Sequence, residues 1–136
     1  MSEALLPSAK LRALLDAKLD TLEKLEITLA LRDAPARTAS IDALARQLQV
    51  GSGVLSQVVD EIARAGVVVV NEQAVTLVLD GAHGPVLDEA AVLYKQNRNG
   101  MARVFTTIAM DRIRRAGART FADAFQFRRR KGDDNG

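Results

Sequence analysis

The chain of 136 residues has no cysteine, one histidine, three prolines and no long uninterrupted apolar run. Without cysteine there is neither a disulfide framework nor a thiolate metal site, and a reducing compartment is the natural setting, so a cytoplasmic location is expected. The longest wholly aliphatic run near any strand covers residues 67–70, and the N-terminus lacks a continuous apolar segment. Neither a signal peptide nor a transmembrane segment is expected. Phosphate-cradling glycine loops, metalloprotease helices and calcium-loop spacings are missing too, and Gly51-Ser-Gly53 is too short for a nucleotide loop. His83, with Asp80 three residues before it, has no serine or cysteine nucleophile placed nearby, so it reads as part of a solvated turn. The sequence offers no catalytic residue, metal ligand or cofactor site, and a non-enzymatic protein is expected.

The charge present is unevenly placed. Residues 1–94 hold 8 basic and 13 acidic side chains, residues 95–131 hold 11 and 2, and the last five hold 2 acidic. The formal net charge of +2 therefore conceals a mildly acidic body and a strongly basic C-terminal arm. Clustered Lys and Arg attract phosphate backbones, anionic lipid or acidic protein surfaces, and the polarity alone does not choose among these.

Apolar spacing places the helices. Leu11, Leu14, Leu15, Leu19, Leu22, Leu25 and Leu29 recur at three- and four-residue steps, which predicts one amphipathic helix of about six turns over residues 9–32. Ser8 supplies a start and Pro35 a stop. This helix is longer than a three-helix head needs, so its first part should project and pair with another chain or with the C-terminal helix. Ser40 reads as the N-cap of a short helix over residues 41–48, residues 49–52 as a tight turn, and residues 53–65 as a third helix burying Leu55, Val59 and Ile62. Gly66 closes it. The β-branched runs at 67–70 and 75–79 predict a hairpin.

From Val86 the helical pattern returns, with Leu87, Ala90, Leu93, Tyr94, Met101, Val104, Phe105 and Ile108 in one stripe, interrupted by the poor helix formers of residues 97–100. Arg112, Arg115 and Arg119 continue the same face. Three arginines do not extend a dry seam, so either the helix breaks near Met110 and Asp111 or it runs past the body and turns a basic stripe outward. Arg128, Arg129, Arg130 and Lys131 follow Phe121 and Phe125, and residues 132–136 should be disordered.

Leu22-Glu-Lys-Leu-Glu-Ile-Thr-Leu-Ala-Leu-Arg32, with the helix-turn-helix of residues 44–66 and the hairpin after it, resembles the winged helix-turn-helix superfamily over residues 19–79. Leu93-Tyr94 and Phe121-Ala-Asp-Ala-Phe125 before a basic ending resemble small bacterial winged-helix-like proteins. The resemblance implies a mainly α fold: a three-helix head with a short β-hairpin, flanked by long N- and C-terminal helices. It divides the chain into residues 1–20, an extension of helix one with a dimer contact; 21–84, the winged domain; 85–127, a helical arm that is basic after 111; and 128–136, a basic and then disordered tail. In DNA-binding members the third helix enters the major groove, here with Ser52, Ser56 and Gln57. It implies a transcription-associated regulator that binds double-stranded DNA, with Arg112, Arg115, Arg119 and Arg128 to Lys131 on phosphates. Leu15, Leu19, Leu87, Tyr94, Met101, Phe105 and Ile108 would pack the long helices or a homodimer.

One departure opens an alternative. Residues 47–63 contain no Lys or Arg, while Asp60 and Glu61 place negative charge where phosphates would lie. Phosphate neutralisation supplies most non-specific affinity. The competing expectation is a protein-interaction or dimerisation module whose winged helix no longer binds DNA, its arm meeting an acidic protein partner or its own helix one.

Overall fold

A computed structural model describes the backbone of residues 6–79 and 81–134, and their side chains apart from 122, 123 and 125–134. The fold is mainly helical, with one small antiparallel sheet. The chain divides into two compact units, Met1–Phe105 and Thr106–Gly136.

The expected single helix over 9–32 is two helices, α1 (Ala9–Ala17) and α2 (Leu22–Asp33). The break has a local cause. The Thr21 hydroxyl accepts the Lys24 N–H at 3.3 Å and caps α2, and Lys18 at the end of α1 leaves helical geometry. A threonine side chain that bonds the backbone competes with continuing the helix. Leucine spacing survives the break, because Leu19 lies within it and is fully buried. Of the two partners expected for this first part, the C-terminal one is found: α1 packs against a helix of the C-terminal arm, α5 (Gly84–Gln96), and buries Leu11, Leu14 and Leu15. Ser8 joins the two. Its hydroxyl accepts the Leu11 N–H at 3.1 Å, and its own N–H and O–H donate to the Glu89 carboxylate at 2.8 and 2.6 Å.

After a short turn at Pro35–Arg37 comes β1 (Thr38–Ser40), which the sequence reading lacks. Ser40 then caps α3 (Ile41–Leu48), accepting the Ala43 N–H at 3.0 Å as its position predicts. Gln49 ends α3 in the left-handed region, and α4 (Ser52–Arg64) follows. Gly66, with φ +81°, reverses the chain as expected of a glycine just beyond a helix C-cap. Lys18 reinforces this corner, its ammonium donating to the Ala65 carbonyl at 2.8 Å, where the helix dipole favours a cation. β2 (Val68–Asn71) and β3 (Ala74–Leu77) form the expected hairpin around Glu72 and Gln73. The sheet order is β1-β3-β2, and the Thr38 and Thr76 hydroxyls meet at 3.0 Å across the β1–β3 pair.

The core of the first unit lies where α2, α3 and α4 meet the sheet. Leu25, Leu31, Leu44, Leu55, Ile62 and Val75 are 0–1 % exposed there. Each such side chain contributes roughly 1.5–3 kcal/mol relative to exposure. Asn97 separates α5 from α6 (Arg98–Asp134) and caps the latter, its side-chain oxygen accepting the Gly100 N–H at 2.9 Å. The interruption expected at 97–100 is thus a single residue. Helix α6 continues past Met110 and Asp111 without a break, so of the two alternatives for this segment the helix runs on. It reaches Asp134, covering part of the tail expected to be disordered; Asn135 and Gly136 lie outside the described residues. Among the described residues no helix is long and apolar enough to cross a membrane.

Candidate functional site

Helix α4 buries Leu55, Val59 and Ile62 and leaves an outer face whose first turns carry the sequence-predicted contact residues. Ser52 and Gln57 are exposed and Ser56 is half-buried, so the three are brought together on one short stretch of helix surface. A shallow hollow of about 470 Å³ lies at Ser52 alone of the three, lined otherwise by Asp42, Ala45 and Arg46 of α3 and by Val50 and Gly51. Serine and glutamine side chains there can donate or accept hydrogen bonds to base edges or phosphates.

The electrostatics of this face differ from what the sequence suggests. Glu61 is paired with Lys24 of α2 at 3.1 Å, and Lys24 also holds Asp20 at 2.6 Å. Burial works against the Lys24 ammonium, but hydrogen bonds to Asp20 and Glu61 outweigh it and lift its pKa above the ordinary lysine value. Lys24 thus holds two carboxylates with one positive charge, so the cluster of Asp20, Lys24 and Glu61 keeps one net negative charge beside this face. Asp60 stays exposed, and Arg46 and Arg64 are exposed at the flanks.

Helices α2 and α5 flank a second feature, a groove of about 650 Å³ with Leu29, Ala30, Leu48, Ala91 and Val92 among its walls. Two polar clasps tie the helices together. Arg32 pairs with Asp88, and the Tyr94 hydroxyl donates to Glu26 at 2.6 Å while the Arg98 guanidinium donates to the Tyr94 oxygen at 3.2 Å. Burial and the bond to Glu26 push the Tyr94 pKa up. Tyr94 was expected only as a packing residue, and its partner lies 68 positions away, so no local signal could have found the clasp.

The sign of the pH effect follows from that direction. Folded Tyr94 keeps its proton to higher pH than the unfolded value of about 10.0, so its contribution is complete below that pH and is lost as pH rises through the folded value. Tyr94→Phe is expected to cost about 1 kcal/mol near neutral pH and to flatten the alkaline loss of stability. Urea denaturation of both proteins from neutral to strongly alkaline pH checks this; parallel curves would contradict it.

No protein-family model, no curated protein and no solved structure matches this chain.

The remaining predicted residues fall in two groups. Leu15, Leu19, Leu87, Met101 and Phe105 are buried within the first unit and Tyr94 is half-buried, so a single chain already packs them; Ile108, in the second unit, is 2 % exposed. On α6, Arg115 and Arg119 are exposed and Arg112 is half-buried, one face of a continuous helix. Arg114 beside them is exposed and lies 3.7 Å from Asp111. The side chains of Arg128, Arg129, Arg130 and Lys131 lie outside the described residues. His83 is half-buried in the turn Gly81–His83, and Asp80 lies outside the described residues.

Proposed function

We propose that this chain is a non-enzymatic winged-helix regulator of the cytoplasm that binds double-stranded DNA, in a transcription-associated role and as a homodimer. The observation that carries the reading is the element order. Helix α2, strand β1, helices α3 and α4, then strands β2 and β3 with β1 paired to β3, is the order of a winged-helix domain. In that arrangement α4 is the groove-reading helix, and it offers Ser52, Ser56 and Gln57. Lys24 is shared between Asp20 and Glu61, so the outer face of α4 keeps its negative charge and cations must come from elsewhere. Phosphate affinity then comes from the arginines of α6.

Anisotropy of labelled duplexes tests this reading. Random-sequence DNA is expected to bind with a Kd on the order of micromolar at low salt and to dissociate steeply as salt rises. Gln57→Ala is expected to change sequence preference while leaving that background intact. Absence of binding even at low salt removes the proposal.

A second reading, a protein-interaction module on the same fold, is favoured by the lack of Lys and Arg over residues 47–63 together with Val54 and Val69, which are 55 % and 53 % exposed. Here Asp60→Lys creates DNA affinity where the native chain has none. Under the first reading the same change only strengthens binding already present.

A further inference from the structure

The second unit carries a feature that DNA binding does not use. On a helix of 3.6 residues per turn, Met110, Ile113, Gly117 and Phe121 are spaced by three and four and share one face with Arg114 at its edge, while Arg112, Arg115 and Arg119 share the opposite face. Helix α6 is continuous through all of them. Met110 is 49 %, Ile113 70 % and Phe121 73 % exposed, so the large apolar side chains of this segment stand in water. The unit holds eight basic and four acidic residues, with four arginines between 112 and 119.

We infer that this segment of α6 is an amphipathic interfacial helix that lies on an anionic phospholipid surface, burying Met110, Ile113 and Phe121 among the acyl chains beneath the headgroups. An apolar face opposite an arginine-rich one is the pattern of helices that rest in the membrane interface. The negative potential of anionic headgroups complements the arginine cluster. Among the described residues no helix is long and apolar enough to cross a membrane, so the helix lies on the surface and does not span it.

A second copy of the chain fits this face poorly. Its large side chains cover about 17 Å of helix, with Gly117 and no side chain at the centre, and a pair formed this way falls well short of the ~1,200 Å² of a stable interface. A lipid surface needs no matching knobs and accepts a shallow face. Duplex DNA has no use for an apolar stripe opposite its phosphate contacts. The inference shares the arginines of α6 with the DNA reading and differs from it in using the apolar face, so removal of that face alone separates the two.

Co-sedimentation of the full chain with vesicles at physiological salt tests it. Partition onto phosphatidylcholine vesicles containing about one-third phosphatidylglycerol is expected to exceed that onto pure phosphatidylcholine by at least about tenfold. Ile113→Ser with Phe121→Ser, which removes apolar surface without changing charge, is expected to reduce partition at least about tenfold, with the thermal midpoint and duplex binding unchanged. Both side chains are exposed, so the variant folds. The inference is overturned if neither vesicle binds the protein. It is also overturned if the double variant binds anionic vesicles as well as the native chain, which would leave charge alone as the cause. A sedimentation-equilibrium dimer abolished by the same variant, with no vesicle binding, would assign the face to a second copy, and an equal loss of duplex binding would assign it to DNA.

Discussion

Arg112, Arg115 and Arg119 changed together to alanine are expected to weaken binding to duplex DNA of every sequence by at least about tenfold near 50 mM salt, and to flatten the plot of log K against log salt by nearly three. The size follows from counterion release, about 0.9 per neutralised phosphate for each of three cations. The geometry supports counting them as a unit. Helix α6 is unbroken, and the three lie on one face of a segment whose arginines are largely exposed. Over the roughly 10 Å that separates the first from the last, a duplex presents about six charges, enough for each guanidinium to have its own phosphate. The loss should be uniform because phosphates carry no sequence information, which separates this variant from Gln57→Ala. A salt titration of both variants on random and selected duplexes decides the matter. An unchanged slope in the triple variant would remove the arm from the DNA interface.

Leu15→Ala is expected to lower the unfolding free energy by about 3 kcal/mol, within the range of ~2–5 kcal/mol for large-to-small changes in a packed core. Leu15 is 0 % exposed and sits on α1, which packs against α5 and is fastened at its start by the Ser8–Glu89 bonds. Had α1 projected as the front of one long helix, the same truncation would cost a few tenths of a kcal/mol in the monomer. Ile113→Ala, at an exposed position, is the internal control and is expected to change stability by less than about 0.5 kcal/mol. Urea denaturation of the three proteins measures both. A cost for Leu15→Ala as small as that of the control would show that α1 is not part of the core.

Legibility in the sequence followed the range of the interactions involved. Helix α3 was readable because Ser40 and Asp42 sit at its start, α4 because Leu55, Val59 and Ile62 repeat at helical steps and Gly66 stands just past the end, and the hairpin because two β-branched runs flank a short polar turn. Strand β1 was not readable. Its three residues, Thr38, Ala39 and Ser40, carry no apolar alternation, and they become a strand only by pairing with Thr76, Val75 and Ala74. The break between α1 and α2 was hidden for a different reason: a buried leucine inside it preserves the periodicity on which a helix assignment rests.

The charges on α4 show the same division. In sequence Asp60 and Glu61 are adjacent and count as two repelling carboxylates. In the fold one of them meets Lys24, brought across from α2 together with its other partner Asp20, a three-residue cluster that adjacency in the sequence does not reveal. Likewise Tyr94 and Glu26 form a clasp between α5 and α2 that no spacing rule links.

By itself the sequence determined the mainly helical class, the serine cap that starts α3, the glycine that closes α4, the hairpin and the separation of an acidic body from a basic arm, because each depends on neighbours within a turn or two or on composition alone. Only the tertiary structure decided that α1 belongs to the core, that a third strand completes the sheet, that Glu61 pairs with Lys24 and that α2 and α5 are pinned by Tyr94 and Arg32. These rest on residues far apart in the chain, whose meeting depends on how the helices pack and not on any local preference.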